Sequence, residues 1–388
     1  MLQRTRVRVN RRVANAGMQT MTTLRGGILN DRQIAGLIER GAIAVAQPLA
    51  PAQIQPASLD LRLGNRAFRV RASFMPGPDT PVSQKLADLT LHEISLTEGA
   101  VLETGCVYVV ELQEKLALPS DISAAANPKS STGRLDIFTR VIADSAQEFD
   151  KMPAGYSGPL YLEISPRTFP IVVRSGSRLS QIRFRQGPVH LLDAAALNAL
   201  HGRETLVAAE TLNVSSGGVA LSIDLEGGPG GLIGYRGKRH TPVIDVDRIG
   251  AYDVLDFWEP IHARGKPQII LDPDEFYILV SREAVHVPPS VAAEMTPFDP
   301  LVGEFRVHYA GFFDPGFGRA EAGGAGSRAV LEVRSHEVPF ILEHGQIVGR
   351  LVYEPMSEAP GVLYGAGLRS NYQAQGLKLS KHFRVAHA

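Results

Sequence analysis

The sequence predicts a mainly β protein made of two tandem copies of one unit, with a few short helices. Three observations carry this. Short runs of alternating apolar and polar residues recur along the chain, and 38 Gly and 26 Pro in 388 residues punctuate them. Only two segments have a helical pattern. The second part of the chain repeats the first at a nearly constant spacing.

Residues 1–27 read as a basic, disordered tail: Arg4, Arg6, Arg8, Arg11, Arg12 and Arg25 precede the first acid, Asp31. No continuous apolar run makes this start a secretory signal, and its acid-poor character also admits a transit-peptide reading. Asn30 and Gln33 then form a capping-box pattern, with Ile34, Leu37 and Ile38 on one helical face and Gly41 as the stop. Strands are expected at 58–63, 107–112, 160–164, 171–174, 276–280, 329–333 and 347–353. Asp193 caps a second expected helix carrying Leu197 and Leu200 and closed by Gly202. The glycine-rich stretch 226–238 lacks the G-x-G-x-x-G pattern and reads as a hairpin or loop.

The self-similarity pairs Tyr108 with Tyr277, Pro119 with Pro288, Pro128 with Pro297, Leu162-Glu163 with Leu331-Glu332, Pro170 with Pro339 and Gly176 with Gly345, all 169 residues apart. Ser58-Leu59-Asp60-Leu61 meets Ser222-Ile223-Asp224-Leu225 at an offset of 164. The expected units are 28–205 and 206–388.

Composition excludes several classes of function. Lys+Arg and Asp+Glu are both 40, so no bulk charge draws the chain to nucleic acid or an anionic membrane. A single cysteine, Cys106, rules out an intrachain disulfide framework and multi-cysteine metal sites. No apolar run reaches the ~18 residues of a membrane helix. H-E-x-x-H, G-x-S-x-G and the H-x-E with P-C-x-x-C of zinc deaminases are absent. A cytoplasmic enzyme acting on a small molecule is the expectation.

Four segments carry chemistry. Lys129-Ser130-Ser131-Thr132-Gly133-Arg134 offers hydroxyls, backbone N–H groups and two cations, as a polyphosphate requires. An ordinary surface turn is the competing reading. Glu163 and Glu332 each sit in an apolar strand, where burial raises a carboxyl pKa toward that of a neutral-pH acid or base. An outward-facing glutamate is the alternative for both. Ala310-Gly-Phe-Phe-Asp314-Pro-Gly-Phe317 can floor a pocket for a planar base, with Asp314 on a sugar hydroxyl or a water, or be a generic turn. The tail around Asn371-Tyr372-Gln373-Ala374-Gln375-Gly376 and Lys378, Ser380, Lys381, Arg384 either folds over an anion or frays.

Together these blocks resemble the dCTP deaminase family of the dUTPase-like superfamily, in a long, duplicated form. The matching segments are Gly27–Ile34, Gln55-Pro-Ala-Ser-Leu-Asp-Leu-Arg-Leu-Gly64, Lys129-Ser-Ser-x-x-Arg134, Gly155-Tyr156-Ser-Gly158 with Glu163, and Tyr372-Gln-Ala-Gln-Gly376. Ala143 stands at the family's spacing from Ser130 to its pocket alanine. The resemblance implies two dUTPase-like distorted β-barrels and hydrolysis of dCTP to dUTP and ammonia without zinc, a Glu activating water. It implies Mg2+ accompanying the triphosphate, with no protein side chain as a metal ligand.

Departures distribute these parts between the copies. The first keeps the phosphate loop and Glu163, has Ser145 where the family carries arginine, and has extra residues near 146–152. The second has Phe298-Asp-Pro-Leu301 in place of the loop, yet keeps Ala310, Asp314, Phe317, Glu332 and the tail. Two site hypotheses follow. In one, Lys129, Ser130, Ser131 and Arg134 join Ala310, Asp314, Phe317 and Glu332, closed by Tyr372 and Gln375. In the other, Glu163 acts in a first-copy site with Ala143 and Tyr156. Two other functions stay open: a dUTPase-like or bifunctional enzyme giving dUMP, with Asp150 or Asp314 positioning water, and a catalytically silent nucleotide-binding protein. A monomer with one internal site and three chains forming two rings both fit.

Overall fold

The computed structural model describes residues 26–209, 211–297, 305–308, 311–319, 326–335, 337–365, 372–373 and 375–384. The arginine-rich start, residues 1–25, lies outside them. Gly27–Ile28 is a short strand paired with Arg185–Gln186, so the last residue of the expected tail, Gly27, is in a strand.

The architecture is mainly β. In the first unit one sheet runs in the order Lys151–Met152, Ile122–Pro128, Ser180–Gln186, Ser58–Leu61, Ile54–Gln55. A second runs Ile137–Ala143, Ser157–Pro166, Val107–Ala117, Leu63–Val70, Thr90–Ser95. The second unit has the order Val214–Ser215, Gly218–Ser222, Ile347–Pro355, Val291–Pro297, Phe312–Phe313. Its other large sheet is Trp258–His262, Leu232–Gly237, Tyr277–Val285, Ser327–Ser335, Phe305–His308. A small sheet crosses between the units, where Ile171–Val172 pairs in parallel with Ile244–Asp245.

Strand registers recur at the spacing of the sequence matches. Tyr108, Val109 and Val110 face Ile164, Glu163 and Leu162, while Tyr277, Ile278 and Leu279 face Val333, Glu332 and Leu331. Ala126, Asn127 and Pro128 face Ile182, Gln181 and Ser180, while Met295, Thr296 and Pro297 face Leu351, Arg350 and Gly349. Because side chains alternate along a strand, an equal register puts equivalent residues on equivalent faces.

The two expected helices form. Asn30 caps Asp31–Glu39 with the reciprocal Gln33 bonds of a capping box, burying Ile34 and Leu37. Asp193 caps Ala194–Arg203, which runs through Gly202 and does not stop there. Its Leu197 and Leu200 join the core of the second unit. The stretch 226–238 is only half loop: after a turn at Pro229–Gly231, Leu232–Gly237 is a paired strand. A Cβ on Gly234 would lie 2.8 Å from the Ile278 carbonyl oxygen, so close strand approach explains a glycine that resembled a loop signal. The strand Gly218–Ser222 ends on the first residue of the Ser222-Ile223-Asp224-Leu225 match, and Asp224 then accepts bonds from the Glu226 and Gly227 amides and turns the chain. Among the described residues, no helix is long and apolar enough to cross a membrane.

One buried ion pair fixes the first unit. Glu114 accepts from the side chain and backbone N–H of Arg62, both at 2.8 Å, and from Gln53 at 2.9 Å. The remaining Arg62 N–H groups reach the Pro48 and Gln47 carbonyls. Glu114→Ala leaves a buried guanidinium uncompensated and is expected to destabilise by about 3–5 kcal/mol in urea unfolding. A loss below about 1 kcal/mol would contradict this.

Candidate active site

The phosphate-loop motif is built where a strand stops. Ile122–Pro128 ends at Pro128, and Ser130–Gly133 makes one helical turn, with the Thr132 hydroxyl donating to the Leu179 carbonyl at 2.8 Å. Lys129 at the head of the turn touches Asp60, whose carboxylate also lies 3.4 Å from Arg178. Ser130 and Ser131 line a cavity of about 400 Å3 together with Lys129 and Arg134. That volume is within the range that takes a small ligand.

The facing wall comes from the second unit. Glu332 sits in Ser327–Ser335, with Ile278 opposite on one neighbouring strand and His308 on the other. Its carboxylate lies 3.8 Å from Arg134 Nε and is 6% exposed. Burial pushes the Glu332 pKa up to about 8, against the pull of Arg134. Asp314 and Phe317 line the same cavity from the Asp-Pro-Gly turn. The turn needs its glycine: Gly316 has φ 98°, and a Cβ there would come within 2.8 Å of the Tyr364 amide. Burial also raises the Asp314 pKa, opposed by Arg183.

The tail closes the cavity within the same chain. The Arg134 guanidinium stacks on Tyr372 at 3.9 Å and donates to Gln375 Oε1 at 3.0 Å and to the Lys378 carbonyl at 2.9 Å. Ser380 donates to the Ser131 carbonyl at 2.8 Å. Phe383 anchors the strap among Tyr252, Phe257 and Trp258, with ring centroids 5.5–6.5 Å apart. Arg134 is thereby the hub that joins phosphate loop, carboxylate and tail.

Of the residues nominated from sequence, Lys129, Ser130, Ser131, Arg134, Asp314, Phe317, Glu332, Tyr372 and Gln375 line this one cavity. Ala310 lies outside the described residues. Ala143, Tyr156 and Glu163 do not line it. Glu163 has a partner of its own: the Arg140 guanidinium donates to Oε1 at 2.6 and 3.1 Å and is itself covered by Phe149 at 3.6 Å. The Tyr156 hydroxyl donates to the Pro159 carbonyl at 2.6 Å and accepts from the Asp144 amide, a turn-bracing role. Burial raises the Tyr156 pKa to about 12. Ala143 is buried in the first unit's core. Asp150, proposed to position water, accepts from the Val141 amide at 2.7 Å away from the cavity, with its pKa raised by burial to about 7.

Other lining residues were not nominated as site residues, Asp60, Arg178, Gln181 and Tyr364 among them, and Lys381 of the tail, read as a cation that could fold over an anion, lines the cavity too. Asp60 carried the same signal as Glu332, an acid in an alternating apolar strand, and one of its carboxylate oxygens is buried with no hydrogen bond. Burial and the nearby Lys129 push Lys381 down to about 8.

The model of the 2′-deoxycytidine 5′-triphosphate deaminase N-terminal domain matches residues 25–188, and that of the C-terminal domain matches residues 193–383. The crystal structure of 2′-deoxycytidine 5′-triphosphate deaminase from Agrobacterium tumefaciens is 71% identical, with a TM-score of 0.84 over 88% of this chain and 99% of that one. A dUMP-forming dCTP deaminase of Kocuria rhizophila is 33% identical over 41% of this chain and 79% of its own length. A dCTP deaminase of Haloarcula marismortui is 32% identical over 41% of this chain and 80% of its own.

Proposed function

Because the chain belongs to the 2′-deoxycytidine 5′-triphosphate deaminase family, we propose that it hydrolyses dCTP to dUTP and ammonia at a site contributed by both units. The observation that carries this is the single cavity holding the Lys129–Arg134 loop on one side and the buried Glu332 carboxylate on the other.

The triphosphate is held by Lys129, Arg134 and the Ser130 and Ser131 hydroxyls, and the base lies toward Phe317 and Glu332. Ionised Glu332 takes a proton from water as the oxygen bonds to cytosine C4. Glu332 returns that proton to N3 beside the tetrahedral C4, then takes the proton of the new C4 hydroxyl and passes it to the amine. The C4–N bond breaks, ammonia leaves and C4 keeps the oxygen as a carbonyl. General acid–base work of this kind contributes about 10²–10⁴ in rate. Phosphates facing Arg134 oppose its pull on Glu332, so substrate binding strengthens the base.

The proposed reaction runs without zinc, as the resemblance implies. Mg2+ would come with the substrate, held by its phosphate oxygens and water, and the Asp60 carboxylate beside Lys129 would supply negative charge near its water shell. The repeated strand registers support two duplicated dUTPase-like barrels, and the shared cavity supports an internal pseudo-oligomer.

A second reading gives dUMP. Several relatives carry the dUMP-forming name, and Asp314 is in the cavity as an acid able to position water. Incubating the protein with Mg2+ and dCTP and resolving products by chromatography decides: dUTP with ammonia supports deamination, and dUMP with pyrophosphate the bifunctional reading. Tight binding with no product would leave a silent nucleotide-binding protein.

The Glu332 shift has a pH consequence. The base must be ionised, and its ionised fraction grows as pH rises through about 8. The expected kcat/KM therefore climbs about tenfold per pH unit below that value and levels above it. A profile flat from pH 6 to 9 would contradict Glu332 as the base.

A further inference from the structure

We propose that Asp136 of the first unit and Arg334 of the second are positioning residues, whose buried ion pair sets the distance between Arg134 of the phosphate loop and the Glu332 carboxylate. This rests on the deaminase reading and on Glu332 as its base. Glu332 and Arg334 stand two residues apart in Ser327–Ser335, so their side chains leave the same face of the strand. They meet first-unit residues that are also two apart: Glu332 faces Arg134, and Arg334 faces Asp136. The charges alternate on both sides. A slip of two residues would set like charges together, so the pairs select one register of strand against loop.

The two contacts differ in kind. Arg134 Nε stays 3.8 Å from Glu332, beyond a hydrogen bond, and is buried with no bonded partner among the described residues. That contact therefore does not fix its own length. Arg334 is bonded: Nε donates to Asp136 Oδ1 at 3.2 Å, Nη2 to Asp136 Oδ2 and, at 2.9 Å, to the Thr168 hydroxyl, and Nη1 to the Asp274 carbonyl at 2.8 Å. Thr168 donates in turn to Asp136 Oδ2 at 2.5 Å. The Asp136 side chain is fully buried and that of Arg334 is 12% exposed. Asp136 follows the Ser130–Gly133 turn in a left-handed conformation, φ 55°, its N–H donating to the Gly133 carbonyl at 2.9 Å. The pair thus pins the turn that carries Arg134 to the strand that carries Glu332. Two residues after Glu163 the first unit has Ser165, so the arginine is not a copied part of the scaffold. It stands in the unit whose glutamate opens to the cavity.

The test is the double variant Asp136→Asn with Arg334→Met. It removes equal and opposite charges, so any effect on Glu332 comes through position. Asparagine suits the left-handed backbone, and removing both partners leaves no unpaired buried charge. With the turn unpinned, kcat/KM for dCTP is expected to fall about 10- to 100-fold, the scale of a misplacement of about 1 Å. The pull of Arg134 weakens with distance, so Glu332 is expected to titrate at least about half a pH unit above its wild-type value of about 8. Carbon-13 NMR of glutamate-labelled protein reads that titration without turnover, the signal being assigned by its loss in Glu332→Gln. A wild-type protein that leaves dCTP intact therefore bears on the deaminase reading alone. Arg334→Lys keeps a cation beside Asp136 but loses the planar fork. It is expected to give smaller changes in the same directions and serves if the double variant does not fold. A Glu332 titration within about 0.2 units of wild type, at any loss of rate or stability, would reduce the pair to a structural contact and overturn the proposal. A kcat/KM within about threefold of wild type would overturn it as well.

Discussion

Glu332→Gln is expected to lower kcat for dCTP deamination by at least about 10²-fold, with dCTP binding retained to within a few-fold. The amide keeps the size of the side chain and removes the proton acceptor. Glu163→Gln serves as the internal control, because the two glutamates occupy equivalent registers in their sheets. Glu163 is engaged by Arg140 under Phe149, whereas among the described residues Glu332 has the 3.8 Å approach of Arg134 and a hydrogen bond from its own backbone, and it opens to the cavity. Glu163→Gln should keep deamination within about threefold of wild type while lowering the unfolding midpoint, since it weakens a buried pair. Steady-state kinetics on the two variants separates them. Loss of activity in Glu163→Gln with retention in Glu332→Gln would move the chemistry to the first unit.

The second large effect is expected at Arg134. Arg134→Ala removes a phosphate donor, the stack on Tyr372, the bonds to Gln375 and Lys378, and the charge nearest Glu332. A preorganised charged donor of this kind is worth about 10²–10³ in rate. A fall of that size in kcat/KM is expected, carried by both KM and kcat. The pH profile gives a second signature. Arg134 holds the Glu332 pKa down, so its loss moves that pKa above about 8 and shifts the rise of kcat/KM to higher pH. A fall in kcat/KM with an unmoved profile would separate Arg134 from Glu332.

Much of this was legible in sequence for physical reasons. The phosphate loop concentrates donors in a few residues, the Asn30–Gln33 cap is a local hydrogen-bond pattern, and the duplicated strands carry a period of two that survives divergence. Glu332 and Glu163 were not separable by sequence. What distinguishes them is Arg140, one strand away and 23 residues distant in the chain, which closes on Glu163. Asp60 was passed over as a site residue because its role arises from neighbours distant in sequence, Lys129 and Arg178, while Lys381 was named only as one of several tail cations that could meet an anion. The Gly234 strand was left between a hairpin and a loop because a glycine required by close packing resembles one required by a turn.

The central claim is one site assembled within one chain, with phosphate loop and base on different units. Subunit complementation tests it most directly. Arg134→Ala and Glu332→Gln chains, each with its own affinity tag, are co-expressed, and any species carrying both tags is purified and assayed with Mg2+ and dCTP. A site closed within each chain predicts that co-expression restores nothing above the sum of the two single variants. Recovery of roughly a quarter or more of wild-type activity would show that loop and carboxylate meet between chains and would contradict the claim.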